Sequence, residues 1–301
     1  MNGVVTIMYP RDGNSFGILM YHRIAPRIAG VCRPTWNVPP ERLRRQLAGL
    51  LSRGYQAWPL RRAVAHCRAG EPFPARVFVV TFDDGYDCIY RYAWPILKEL
   101  SVPATVFMVT AYLDAEVPFD VDDWEAAGSA KVPASTWKPL SVAHCAEMLE
   151  HGLIEVGSHT HTHLDYYGKP EAFRRDVTRS LDVVRDAFGV EQPSFAFPFG
   201  RFDLDMVVAV RQAGALCALT TEEKLVVPPT DPFSWGRFRV HQSDAAAMLV
   251  LKLSGHYTVL RDAWHWVRGQ WRRGRALLGY QDPHSELTTV RGVVQRRVAS
   301  P

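Results

Sequence analysis

Two short clusters in this 301-residue chain carry side chains that could work together chemically. The first is Thr81-Phe82-Asp83-Asp84-Gly85-Tyr86, where two adjacent carboxylates follow an apolar run. Carboxylates beside a buried strand are costly unless they are paired, hydrated or bound to a metal. A turn at Gly85 would aim both into one cleft. The competing reading makes Asp84 or Asp87 the cap of a helix starting near residue 88, and local sequence leaves both open. The second cluster is Gly157-Ser158-His159-Thr160-His161-Thr162-His163-Leu164-Asp165. His159 and His163, four apart, share a face if the backbone there is helical. Neutral imidazole is a common ligand for borderline divalent ions. An exposed polar turn is the alternative, but three histidines directly after a buried strand favour a metal. Two histidines and one aspartate form a three-ligand set with positions left open for water and substrate, which suits catalysis rather than structure. The remaining carboxylate is then free to act as a base.

Such residues need a frame that brings strand ends together. Continuous apolar runs at 16–24, 77–82, 104–109, 153–159, 194–199, 215–220 and 236–240 read as strands buried on both faces, as in parallel sheets. Amphipathic stretches at 41–53, 89–100, 141–151, 171–188, 204–213 and 244–253 fall between them. About seven strand–helix alternations indicate an α/β fold, one short of a regular eightfold barrel. Residues 110–140 break the rhythm and read as a long insertion, either a functional lid or a surface excursion.

These pieces resemble the NodB-homology polysaccharide deacetylases, carbohydrate esterase family 4. Thr81-Phe82-Asp83-Asp84-Gly85 is similar to the family's first motif, and the His159 to His163 segment to its second. Met20-Tyr21-His22-Arg23 and the Phe197-Pro198-Phe199-Gly200 turn look like its exopolysaccharide-associated branch. The resemblance covers roughly residues 16–240 and implies a distorted (β/α)7 barrel, TIM-like, over residues 1–255. It implies one divalent metal, zinc first, with cobalt, nickel or manganese also accommodated, held by Asp84, His159 and His163. Asp83 would be the general base and a metal-bound water the nucleophile. The Phe199 backbone N–H would serve the oxyanion, and Tyr86, Pro198 and Gly200 would contact substrate.

The sequence departs from the family in three places. The arginine that braces the base falls at Ala196, and Arg201 could replace it only if the loop folds back. The late Leu-x-His motif that supplies the acid has no clear match. His22, at the end of the first strand, ranks above His241 for that role. The Asp231 to Trp235 segment is only loosely similar to the family's Asp-x-x-Asp-Trp motif. His161, Arg201 and His241 are expected as neighbours of the site.

The expected function is therefore removal of N-acetyl groups from amino sugars of a polysaccharide or glycan precursor. Two alternatives are a deformylase or deacylase of a lipid-linked amino sugar, and a catalytically degenerate sugar-binding barrel. Composition excludes other classes. A 47% apolar and 22% charged chain is neither disordered nor a coiled coil, and no apolar run of about 18 residues exists to span a membrane. Cys32, Cys67, Cys88, Cys145 and Cys217 are odd in number and lack a C-x-x-C pair, so neither disulfides nor a cysteine zinc site is expected. The N-terminus shows no signal-peptide pattern, so a cytoplasmic location is expected. Residues 256–301 hold eight arginines against three acids, a surplus larger than the whole chain's +4. The body is thus near neutral, and no nucleic acid partner is implied. In this basic C-terminal extension, Trp264 and Trp271 lie on an apolar stripe within 257–280. It would either pack on the barrel or lie against a membrane surface.

Overall fold

The apolar runs form strands because both of their faces are covered. In a computed structural model, describing residues 14–120, 122, 124–259 and 261, every residue of β1 (Gly17–Tyr21), β3 (Val77–Phe82) and β4 (Ala104–Met108) is buried. β5 (Ile154–Ser158), β6 (Phe195–Ala196), β7 (Ala218–Leu219) and β8 (Phe238–Arg239) account for the other expected runs. All pair in parallel, in the order β7-β6-β5-β4-β3-β1-β8. β2 (Gln56–Ala57) adds to β3 and was not expected, because two residues carry no periodicity.

The sheet curls into a distorted barrel. Segment 235–239 shuts it: Trp235 pairs with Leu219 at one end, and Phe238 and Arg239 pair with Leu19 and Met20 at the other. Ile18, Val79, Phe107, Ala196 and Leu219, drawn from five strands, meet in one cluster with Trp235, which fills the interior. Helices cover the outside: α1 (Pro40–Leu51), α2 (Leu60–Arg68), α3 (Trp94–Leu100), α4 (Val142–Glu150), α5 (Pro170–Phe188), α6 (Leu204–Gln212) and α7 (Ala246–Leu253). α5 and α6 bury Phe173, Val177, Leu181, Met206 and Val210 against Phe195, Phe197 and Ala218. Each such side chain contributes about 1.5–3 kcal/mol relative to exposure.

The described residues through Gly255 form one compact unit. Among the described residues, no helix is long and apolar enough to cross a membrane. The apolar stripe expected at 257–280 lies almost wholly outside the described residues, as do residues 281–301.

The 110–140 insertion is a wall of the barrel mouth and no detached excursion. Phe119 packs on Tyr86 and Tyr112 at 4.9 Å each. The Trp124 Nε1–H donates to the Cys32 carbonyl at 2.7 Å. Arg23, buried at the end of β1, pairs with Asp122.

Candidate metal centre

Side chains at strand ends converge on a cleft of about 340 Å³ lined by Asp83, Asp84, His22, His159, His163 and Phe199, among others. β3 ends at Phe82, and the Asp83 N–H donates to the Tyr21 carbonyl at 2.9 Å, continuing the sheet by one residue. The chain then turns through left-handed conformations at Asp84 (φ +69°) and Gly85 (φ +77°). This turn sends both carboxylates into the same cleft, although neighbours on a strand point opposite ways. Neither aspartate caps a helix. Asp87 instead accepts from His144 Nδ1 at 2.6 Å and from Arg91.

The histidine pair is brought together by a different device from the one expected. Residues 159–163 are not helical. Left-handed conformations at Thr160 (φ +70°) and His163 (φ +59°) fold the segment back, and the two rings stand 5.0 Å apart. Such backbone outliers persist where the surroundings over-determine them. Here Asp176, on α5, accepts from the His161 N–H, the Thr162 hydroxyl and the Tyr166 hydroxyl at 2.7 Å each. The Ser158 and Thr160 hydroxyls accept from the Thr160 and His163 N–H groups. His161 bonds Thr110 through Nδ1 and stays out of the cleft.

One oxygen of Asp84 faces both rings, 3.6 Å from His159 Nε2 and 3.4 Å from His163 Nε2. Among the described residues these three side chains are the group placed to hold a metal, with ligand atoms all within 4.8 Å. The fit is chemical as well as spatial. His159 Nδ1 donates to the Ala196 carbonyl at 2.8 Å, which leaves the Nε2 lone pair aimed at a carboxylate. Two acceptors facing each other repel unless a cation stands between them. Ligands 2.0–2.2 Å from a tetrahedral ion lie about 3.3–3.6 Å apart, which both measured separations match. Burial pushes both imidazoles down to about 4, so they are neutral near pH 7, as ligands must be.

Asp83 has a separate environment. It is 2% exposed, and burial alone would raise its pKa. The Arg237 guanidinium overrides this with a two-pronged bond, 2.6 Å to Oδ1 and 2.8 Å to Oδ2, holding the carboxyl well below the usual carboxylate range. Arg237 also donates to the Thr220 carbonyl and the Thr81 hydroxyl. Arg201 does not fold back to Asp83; it is exposed and pairs with Asp165. The brace therefore comes from the closing segment 235–239. The Gly236-Arg237-Phe238 run was legible as a strand, but nothing local tied it to residue 83.

His22 Nε2 stands 4.0 Å from Asp83 Oδ2, on the cleft wall. His241 is exposed and does not line the cleft. Its main chain instead anchors Gln46. Tyr86 lines the cleft beneath Arg23, whose guanidinium lies 4.1 Å from the ring centroid. Pro198 and Gly200 do not line it; they shape the turn that presents Phe199. Asp231 pairs with Arg211 on the surface and Trp235 is in the core, so neither joins the cleft.

Phe199 has φ +58°, is 54% exposed and packs its ring 4.7 Å from His163. Its N–H makes no hydrogen bond among the described residues, which leaves a donor at the cleft. Gly200 keeps the turn closed: at φ +65°, a Cβ there would come 1.8 Å from the Thr221 hydroxyl oxygen. Gly200→Ala is therefore expected to destabilise the protein by about 1–3 kcal/mol, from the left-handed backbone and the overlap together. A thermal melt reads this. An unchanged midpoint would show that the turn can relax freely.

Comparison with known proteins follows the same outline. The polysaccharide deacetylase family model matches residues 70–218. A poly-beta-1,6-N-acetyl-D-glucosamine N-deacetylase of Staphylococcus aureus strain MSSA476 is 25% identical over 231 residues, covering 74% of this chain and 73% of that one. Among solved structures, IcaB from Ammonifex degensii aligns with TM-score 0.67 and 24% identity over 80% of this chain and 97% of its own. The Streptococcus pyogenes deacetylase PplD aligns with TM-score 0.67 and 21% identity, over 79% and 98%. The last two show the shared barrel.

Proposed function

This chain belongs to the polysaccharide deacetylase family, and we propose on that premise that it hydrolyses N-acetyl groups from amino sugars of a glycan, using Asp83, His22 and the Phe199 N–H around a divalent metal. The observation that carries the reading is the convergence of Asp84, His159 and His163 beside a separately braced carboxylate, in one cleft. An ion held by those three side chains, with zinc first in preference, would polarise the amide carbonyl and acidify the attacking water.

The chain's own residues do the rest. Asp83 stays ionised because of Arg237 and accepts the proton of the attacking water. The Phe199 N–H donates to the oxyanion that develops on the former carbonyl oxygen. Contacts of this kind are worth about 2.7–4 kcal/mol in other acyl-transfer enzymes. His22, whose Nε2 stands 4.0 Å from Asp83, hands a proton to the departing amine, so one proton is taken from water and one is given to the sugar nitrogen. His159 bonds the Ala196 carbonyl, and that bond fixes which ring nitrogen faces the metal position.

The test is metal content by elemental analysis, paired with acetate release from N-acetylglucosamine oligomers. Wild type is expected to hold about one equivalent of metal and to release acetate. His159→Ala with His163→Ala is expected to lose both. Metal without acetate on any N-acetylated glycan would overturn the deacetylase reading in favour of sugar binding. No metal after reconstitution would overturn the site itself.

A further inference from the structure

Three carboxylates and three arginines meet at the cleft, but they do not all pair. Asp83 is matched by Arg237, Asp122 by Arg23, and Asp84 faces the two histidines. Arg239 is left over. It reaches the cleft from β8, where it pairs with Met20 in the register, and among the described residues no carboxylate pairs with it. Its buried Nε has no hydrogen-bond partner, and its guanidinium carbon lies 4.2 Å from the centroid of the Trp36 ring. That stack fixes the plane of the fork.

Trp36 is itself locked. It lies in the left-handed region (φ +53°), an outlier for a bulky side chain, with its ring stacked on His22 at 5.5 Å. Asn37 clamps the loop by bonding both the N–H and the C=O of Ala25. The Arg23 N–H bonds the Trp36 carbonyl as well. The same loop lines a second cavity of about 390 Å³ that contains Arg27 and Arg33 and no acidic residue. Trp124 is shared between the two cavities, lining the second while Arg23 of the first packs over it at 5.2 Å.

Resting on the deacetylase reading, we infer that Arg239, with Arg27 and Arg33 beyond it, forms a docking site for acidic groups on the glycan. Arg239 takes the anionic oxygens, carboxylate or phosphate, of the sugar next to the one whose acetamide is cut. The reason is desolvation. Closing a glycan over an unpaired guanidinium strips its water, and only an anion compensates in full. The planar fork matches carboxylate and phosphate geometry with two parallel bonds, and here the fork is already oriented. An uncharged N-acetylglucosamine polymer would offer it hydroxyls only.

The test is calorimetric binding to the full chain of three oligosaccharides of equal length. One is a neutral N-acetylglucosamine oligomer, one alternates N-acetylhexosamine with uronate, and one joins N-acetylhexosamines through phosphodiesters. At low salt at least one acidic ligand is expected to bind about tenfold or more tightly than the neutral one. That advantage should shrink as ionic strength rises. The two acidic arms tell which anion the fork prefers. Arg239→Gln is expected to bring the acidic-to-neutral ratio near one, while Arg239→Lys keeps part of it. Arg33→Gln, on an exposed loop where folding is not at stake, is expected to lower the ratio for longer chains. Equal binding of acidic and neutral ligands, or equal weakening of both by Arg239→Gln, overturns the site. Acetate release is read separately on the same ligands. Anion preference with no acetate from any ligand would sink the deacetylase reading and leave this site standing; acetate release without preference would do the reverse.

Discussion

Arg237→Met is expected to cost about 3–5 kcal/mol of stability at neutral pH, since it leaves a buried carboxylate without its partner. Arg237 is fully buried and Asp83 is 2% exposed, so little water is at hand to replace the lost bonds. The pH dependence has a definite sign. In the wild type Asp83 is held below its unfolded value, near 3.9, so it contributes stability above that value and loses the contribution only in strong acid. Without Arg237, burial, which raises the pKa, is opposed only by His159 and His22. The variant's deficit should therefore be greatest at neutral pH and shrink as the pH falls and Asp83 takes up a proton. Denaturant unfolding at pH 7 and pH 5 reads this. A deficit below about 1 kcal/mol at pH 7 would mean that the carboxylate finds another partner.

Asp83→Asn is expected to lower the rate of acetate release by about 10²–10⁴-fold, the range for loss of a general base. The amide keeps the shape of the carboxylate but cannot accept a proton from water. Metal content is expected to stay at the wild-type level, because Asp84, His159 and His163 are untouched. This separates the base from the ligand set. Asp83→Asn also strips Arg237 of its counter-charge, so part of any loss could be structural. The double variant Asp83→Leu with Arg237→Met resolves that. Removing both charges together is expected to recover most of the stability lost by Arg237→Met alone, without recovering activity. A double variant that regained activity would show that Asp83 is not the base.

The barrel and the cleft were legible in the sequence to different depths. Val77–Phe82 and its partner strands could be read because burial on both faces leaves an uninterrupted apolar run. α2 was missed because its buried positions, Leu60, Ala63 and Val64, are too few to make a stripe among its arginines. Asp83, Asp84, His159 and His163 could be singled out because they cluster within a few residues of the ends of such runs. Gly85 signalled the turn that aims Asp83 and Asp84 into one cleft, but the histidine fold-back depends on left-handed conformations at Thr160 and His163, residue types that carry no such signature. The two histidines meet without the helical face expected for them. Arg237 was hidden for another reason. The arginine expected at the position of Ala196 is supplied in space by a neighbouring segment, and a motif read along the chain does not follow a side chain across the sheet. Asp176, which holds the histidine turn, lies inside the apolar-periodic α5 and carried no signal beyond its burial.

The pair between Asp83 and Arg237 spans 154 positions of the chain. A ribosome adding about 5–20 residues per second delivers the carboxylate roughly 8–30 s before its guanidinium. β1, β3, β4 and β5 can associate during that interval, yet every folding attempt places an acid in the interior with no counter-charge available. The nascent chain therefore passes through a defined period in which its first half gains little from folding, and release of segment 235–239 ends it. Chaperone or protease capture during synthesis should concentrate on chains that stop short of Arg237.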